Sequence, residues 1–210
     1  MIRILIADDH AIVRKGFAQI IAESSGMKVA DEAGNGREAL EKALKKDYDV
    51  VVLDISMPGR GGLEVLKELK KSKPGLPVLI LSIHPEEQYA VRALKAGAAG
   101  YLTKESAPDE LIRAIRKVTR GGKYVSASLA EKLAVDLDAW SKRPRHETLS
   151  DREFQVMCLL GSGKPVKEIA GQLALSVKTI STYRGRILQK LGLDNNAQLT
   201  HYVLENKLSI

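Results

Sequence analysis

Hydrophobic positions in the first 125 residues follow two alternating patterns. Ile2–Ala7, Asp49–Leu53, Val78–Leu81 and Ala99–Leu102 are short, nearly continuous apolar runs, and Met27–Ala30 is a weaker one. Runs of this length suit strands buried on both faces, as in a parallel sheet. Between them the apolar residues recur at helical spacing, as in Val13/Phe17/Ile20/Ile21, Ala39/Leu40/Ala43/Leu44, Leu63/Leu66/Leu69 and Leu111/Ile115/Val118. Strand–helix alternation repeated five times predicts a doubly wound, five-stranded parallel α/β domain. Ser106, ahead of Pro108 and Asp109, is the expected start of its fifth helix.

After Gly121-Gly122 the alternation stops. Residues 126–139 could form one short helix, and Ser141–His146 is polar, basic and broken by Pro144. Ser150-Asp151-Arg152-Glu153 then has the form of a capping box leading into an apolar helix. From there the pattern is helical only, in about four short helices separated at Gly161–Lys164, Leu175-Ser176 and Leu193–Asn195. The expected organisation is an α/β domain over 1–124, a connection over 125–147 and a small all-α domain over 148–210.

Composition narrows the function classes. The chain has 210 residues, 44% of them hydrophobic, which excludes a disordered or fibrous protein. A single cysteine, Cys158, cannot form an intramolecular disulfide and predicts a reducing compartment. The apolar N-terminal run ends at Asp8-Asp9, too soon for a signal peptide, and no run approaches the length of a membrane span. A soluble, cytoplasmic protein without membrane association is expected. The net charge of +7 is spread over both halves, with 21 basic and 17 acidic residues in 1–125 and 12 and 9 in 126–210. Bulk charge is therefore weak evidence for a nucleic-acid partner. Residues 176–191 are different: Lys178, Arg184, Arg186 and Lys190 occur there with no acidic residue.

In an open parallel sheet, sites form beyond the carboxyl ends of the strands. Those ends carry Asp8 and Asp9, then Asp54, Ser82 and Lys104. Any one of these could simply cap a helix or close a turn. Three carboxylates, a hydroxyl and an ammonium on one rim make a site. Clustered carboxylates repel unless a cation lies among them, and an all-oxygen set suits Mg²⁺ (or Mn²⁺) in contact with a phosphate. Lys104 supplies a point charge and Ser82 a hydrogen bond for phosphoryl oxygens, and an Asp so placed can accept a phosphoryl group.

Asp8-Asp9, Asp54-Ile55-Ser56-Met57-Pro58-Gly59, Leu81-Ser82 and Gly100-Tyr101-Leu102-Thr103-Lys104 closely resemble a two-component receiver domain, over residues 2 to about 121. The resemblance implies that Asp54 is the phosphoacceptor. It implies that Asp8 and Asp9, with Asp9 the more direct ligand, Asp54 and the backbone carbonyl of Ser56 hold Mg²⁺. Ser82 and Lys104 would hold the phosphoryl group, and Tyr101 would be the aromatic switch that swings inward when Ser82 moves. Many receivers have a cis-proline after the lysine where Glu105 stands here, a departure usual in one branch of the family.

Other motifs carry less. Gly34-Asn35-Gly36-Arg37-Glu38-Ala39 fits a dinucleotide fingerprint but follows the second strand, not the first, so it reads as a tight turn into a helix. His10 beside Asp9 has little use in a hard-cation site and suits a helix start. His84, His146 and His201 are isolated, and Cys158 belongs to an apolar stretch expected in a core. An Asp-nucleophile hydrolase would need Asp-x-Asp on the first strand, which Asp8-Asp9-His10 does not supply.

Val166–Leu191 has the form of two helices joined at Ala174-Leu175-Ser176, with Ala170, Ala174 and Ile180 where close helix approach needs small, small and apolar residues. On the second helix Val177, Ile180, Ile187, Leu188 and Leu191 mark the expected buried face. Lys178, Ser181, Thr182, Gly185 and Gln189 fall opposite, where a major groove could be read, with Arg184, Arg186 and Lys190 flanking toward phosphates. The expected DNA-contact set is Lys178, Thr179, Ser181, Thr182, Arg184, Gly185, Arg186 and Lys190. A charged outer face alone would fit any solvated helix. The run from Leu149–Glu153 through Ile169-Ala170, Ser176–Ile180 and Arg186–Leu191 resembles the DNA-binding domain of LuxR-type regulators over about 148–208. Gly185 departs from that pattern, which often has a longer polar residue there.

The two resemblances make the chain similar to NarL/FixJ-type response regulators. They imply a sensor histidine kinase as donor to Asp54, with small phosphodonors possible, double-stranded DNA as ligand, and a homodimer on activation. No enzyme activity is implied beyond the protein's own phosphoryl transfer and dephosphorylation at Asp54. The last helix, about Ala197–Asn206 with Leu199, Val203 and Leu204, is expected either to form the output-domain dimer contact or to pack within its own domain. The alternative reading is a regulator whose DNA binding ignores phosphorylation, or whose helical domain binds protein.

Overall fold

Strand β3, Val50–Leu53, is buried along its whole length, as is β4, Val78–Ser82. This is why their sequences are unbroken apolar runs: each has helices over both faces. The computed structural model describes residues 1–106, 108–127, 129–131 and 144–208, which divide into a unit at Met1–Ala130 and a second at Glu131–Ile210. In the first unit β1 (Ile2–Ala7), β2 (Met27–Ala33), β3, β4 and β5 (Gly100–Thr103) form one parallel sheet in the order β2-β1-β3-β4-β5. Helices α1 (Ala11–Ala22), α2 (Gly36–Lys45), α3 (Gly62–Ser72) and α4 (Glu86–Lys95) connect the strands, and α5 (Pro108–Thr119) follows the last of them. Ile4, Ile6, Val50, Val52, Leu79 and Leu81 cluster on one face with Leu111, Ala114, Ile115 and Val118 of α5. Leu5, Val51, Leu53 and Ile80, which alternate with them along the strands, are fully buried too.

Strand β2 runs three residues further than its apolar signal. Asp31 and Glu32 extend it because it is an edge strand and their charges are met locally: Asp31 by Lys46 and Tyr48, Glu32 by Arg14. Helix α2 begins where the glycine-rich motif was read as a turn. Asn35 caps it by accepting the Glu38 amide at 2.9 Å, and Glu38 accepts the Gly34 amide at 2.7 Å. A Cβ on Gly36 would collide with the Arg60 carbonyl, so close backbone approach accounts for this glycine. Helix α5 starts at Pro108, so its capping position, residue 107, lies outside the described residues. Ser106 stands one residue before that position, its amide donating to the Thr103 carbonyl at 3.1 Å.

Of the helix expected over 126–139, residues 127 and 129–131 are helical; most of the rest lies outside the described residues. Among the described residues from 144 onward, the first element is a 3₁₀ turn, Arg145–Thr148. Four helices follow: α6 (Asp151–Gly161), α7 (Val166–Gln172), α8 (Val177–Leu191) and α9 (Asn196–Glu205). The capping box at α6 is complete, Ser150 accepting the Glu153 amide at 3.3 Å and Glu153 accepting the Ser150 amide at 2.8 Å. Ala174 enters the left-handed region (φ 53°) to make the tight α7–α8 turn, and Ser176 caps α8 by accepting the Thr179 amide at 3.0 Å. Phe154, Met157, Cys158, Ile169, Ile180, Ile187, Leu191, Leu199 and Val203 are buried in this unit. Among the described residues, no helix is long and apolar enough to cross a membrane.

Candidate acidic site and nucleic-acid interface

Register places the acidic cluster. Ala7 and Leu53 are partners across the β1–β3 pair, and the Asp54 amide donates to the Ala7 carbonyl at 2.9 Å. Asp8 and Asp54, the next residues on each strand, therefore emerge side by side, at the switch point where strand order reverses. Ser82 pairs with Thr103 across β4–β5, and the Lys104 amide donates to the Ser82 carbonyl at 2.7 Å, which brings Lys104 to the same rim. Gly62 closes the loop behind Asp54. Its amide donates to the Ile55 carbonyl, and a Cβ there would overlap the Asp54 backbone carbonyl.

Lys104 Nζ lies 2.5 Å from Asp8 Oδ2 and 2.9 Å from Asp54 Oδ2. Both carboxylates are buried. Burial pushes the Asp54 carboxyl above its usual pKa and Asp8 adds to the effect, while Lys104 opposes it. Burial alone would lower the Lys104 ammonium, but Asp54 and Asp8 outweigh it and hold the amine charged. Asp8, Asp9, His10 and Asp54 bring one ligand atom each within 4.8 Å of one another. Asp9 Oδ1 is closed off from solvent and, among the described residues, receives no hydrogen bond, although the His10 ring nitrogen stands 3.0 Å away. Three carboxylates against one ammonium, one of them with an orphaned oxygen, is a donor set that fits a hard divalent cation. His10 itself occupies the capping position of α1 and is largely exposed.

The structure brings Asp8, Asp9, Asp54 and Lys104 together directly. Ser82 and Tyr101, both fully buried, are linked through a residue the sequence did not single out. The His84 amide donates to Ser82 Oγ at 3.2 Å, and the Tyr101 hydroxyl donates to the His84 carbonyl at 2.8 Å. The His84 ring meets Ser56 Oγ at 2.8 Å through Nε2 and stacks on Tyr89 with ring centres 4.6 Å apart. The Ser56 amide donates to Asp54 Oδ1 at 3.2 Å. The only sequence signal for His84 is its place two residues past a strand end. Arg14 likewise carries no sequence signal for its role; its guanidinium donates to the Asp8 carbonyl at 2.7 Å and fixes that loop.

On α8, Lys178, Ser181, Thr182, Gly185, Arg186 and Gln189 share the exposed face, and nothing lies within 4 Å of where a Gly185 Cβ would be. The Ser181 and Thr182 hydroxyls donate back to the Val177 and Lys178 carbonyls, and Thr179 Oγ1 lies 2.8 Å from Ser176 Oγ. Arg184 donates through Nε to Asn196 Oδ1 at 2.6 Å. Val177, expected on the buried face, is half exposed, because as the first residue of α8 it precedes the stripe that is covered from Ile180 onward. Leu199 and Val203 pack inside the unit, Val203 against Gly161, which leaves Leu204 as an exposed large hydrophobic residue of α9.

Two family models match the chain. Residues 4–116 match the response regulator receiver domain and residues 147–203 match the bacterial regulatory proteins of the luxR family. The chain is a two-component response regulator. The regulator is 37% identical over 209 residues to the response regulator UvrY of Escherichia coli K12, covering 99% of this chain and 96% of UvrY. It is 41% identical over 205 residues to the transcriptional regulatory protein UhpA of Salmonella typhimurium LT2, covering 98% and 99%. Among solved structures it resembles Salmonella RcsB, with TM-score 0.69, 27% identity and coverage of 100% of this chain and 98% of that one. It also matches RcsB bound to the rprA promoter with phosphomimetic BeF₃⁻, with TM-score 0.65, 26% identity and coverage of 97% and 98%. The regulator thus consists of a receiver and a LuxR-type helix-turn-helix DNA-binding domain, and it acts in transcription regulation.

Proposed function

We propose that Asp54 accepts a phosphoryl group from a sensor histidine kinase, and that this controls binding of the α8 face to double-stranded DNA by a homodimer. The observation that carries the reading is the buried Asp54 carboxylate, held by Lys104 at 2.9 Å beside the Asp8–Asp9 pair. In the transfer, an Asp54 carboxylate oxygen attacks phosphorus, the phosphorus–nitrogen bond to the kinase histidine breaks, and an acyl phosphate forms. Lys104 favours the ionised form of the nucleophile, opposing the pull of burial, and then faces a phosphoryl oxygen. Asp8, Asp9, Asp54 and the Ser56 carbonyl would hold Mg²⁺ (or Mn²⁺), which when bound neutralises charge on the phosphoryl oxygens. The acquired charge of about −1.5 to −2 draws the Ser82 hydroxyl. Because His84 joins Ser82 to Tyr101, the pull reaches both residues and shifts a pre-existing equilibrium.

The test uses acetyl phosphate with Mg²⁺. Intact mass rises by one phosphoryl group, and Asp54→Asn abolishes the gain; undiminished labelling of that variant overturns the assignment. Selection of binding sites from random DNA, with and without phosphorylation, then tests the output and its control together.

A further inference from the structure

The segment leaving α5 turns back along the open edge of β5. The Tyr124 amide donates to the Ala99 carbonyl at 2.9 Å, the Tyr101 amide donates to the Tyr124 carbonyl at 3.2 Å, and Gly100 and Tyr124 form a one-residue parallel bridge. Gly100 permits this, since a Cβ on it would stand 2.6 Å from the Tyr124 carbonyl oxygen. The Tyr124 hydroxyl donates to Glu110 of α5 at 3.0 Å. Two residues on, Ser126 Oγ accepts the Leu129 amide at 3.1 Å, capping the helical residues that follow, and donates to the Glu86 carboxylate. Leu129 is buried. The start of the connection to the output domain is thus a strap fastened to β5, α5 and α4.

Two of these fastenings belong to the parts that respond to a phosphoryl group. Tyr101, whose amide holds Tyr124, is the residue whose hydroxyl meets the His84 carbonyl. Glu86, which holds Ser126, opens α4 immediately after His84-Pro85. Proline fixes φ, so a displacement of the Ser82–His84 loop is passed on to Glu86 with little slack. A carboxylate accepting from a hydroxyl is a strong, directional hydrogen bond.

We propose that Ser126 and Glu86 are positioning residues whose hydrogen bond passes the state of the receiver to the DNA-binding domain. The inference rests on the phosphoryl switch proposed above. With the bond in place, movement at α4 is transmitted to the helical residues that follow Ser126; without it, the receiver still takes up phosphoryl but the output is not instructed.

The test uses the full chain and reads two quantities: phosphoryl occupancy by intact mass, and DNA affinity by fluorescence anisotropy with and without acetyl phosphate and Mg²⁺. Glu86→Ala removes the acceptor without touching the helix cap. Ser126→Asp keeps a capping side chain but sets one carboxylate against another. Both variants shrink the phosphorylation-dependent gain in affinity by about five-fold or more, with occupancy unchanged. Glu86→Gln, whose amide oxygen still accepts, retains the gain. A full gain in Glu86→Ala at normal occupancy overturns this proposal alone. Failure of the unaltered chain to gain phosphoryl or affinity overturns the underlying reading, and the proposal with it.

Discussion

Lys190 Nζ lies 2.6 Å from Glu153 Oε2, a carboxylate whose side chain is 4% exposed and which also accepts the Ser150 amide. A lysine read from sequence as a DNA-phosphate contact therefore ties the end of α8 to the capping box of α6. Burial alone would raise the Glu153 pKa, but Lys190 and Ser150 outweigh it and hold it below the usual value. A depressed carboxylate contributes stability above its unfolded pKa, about 4.3, and loses it as pH falls through the lower folded value. Lys190→Ala is expected to destabilise the output domain by about 1–3 kcal/mol, with the deficit shrinking below about pH 4. Urea unfolding of the domain's transition across pH checks it; an unchanged midpoint at pH 7 would show the pair to be energetically idle.

Arg186 behaves differently. It is exposed on α8, one turn after Thr182. Arg186→Ala is expected to leave stability unchanged and to weaken binding on all DNA sequences alike, with the salt slope reduced by about one. Titration against specific and random duplexes at several salt concentrations reads this. A change in preferred sequence would instead place Arg186 on a base edge.

Asp54 predicts an opposite pH signature. Its folded pKa lies above its unfolded value, so the protonated form is the one folding favours. Stability of the unaltered receiver therefore falls as pH rises from below about 3.9 through the folded pKa. Asp54→Asn removes that cost while Lys104 keeps Asp8, and it should stabilise the receiver at pH 7 by on the order of 1 kcal/mol. The advantage disappears in acid. Thermal unfolding from pH 3 to 8 would refute this if the variant were less stable throughout.

Gly185 occupies open space in the middle of a helix. Gly185→Ala should raise output-domain stability by about 1 kcal/mol, because alanine loses less backbone freedom on folding. A lower urea midpoint would mean that the added methyl meets something other than solvent.

Much of this was legible in the sequence because it depends on order along the chain. The strands of the sheet were read from their apolar runs, and Asp8, Asp54 and Lys104 from standing at the ends of those runs. Two-sided burial leaves such a mark, whereas tertiary partnership does not. His84 has no pattern around it; it matters because its backbone lies between Ser82 and Tyr101 and its ring reaches Ser56. Lys190 looked like any cation on an outer helix face, since Glu153 is 37 residues away in sequence. Val177 fitted the helical period and is still half exposed, because periodicity cannot say where a partner helix stops covering.

The β1–β3–β4–β5 adjacency also sets a schedule. From β3 onward the sheet is extended outward in the order in which the chain is synthesised, so the ammonium between Asp8 and Asp54 follows the last strand to be made. A chain cut after Thr103 would hold all three carboxylates with nothing to separate them. On the proposed function, competence to take up a phosphoryl group therefore waits for the finished sheet, and a copy lacking β5 is expected not to carry the signal.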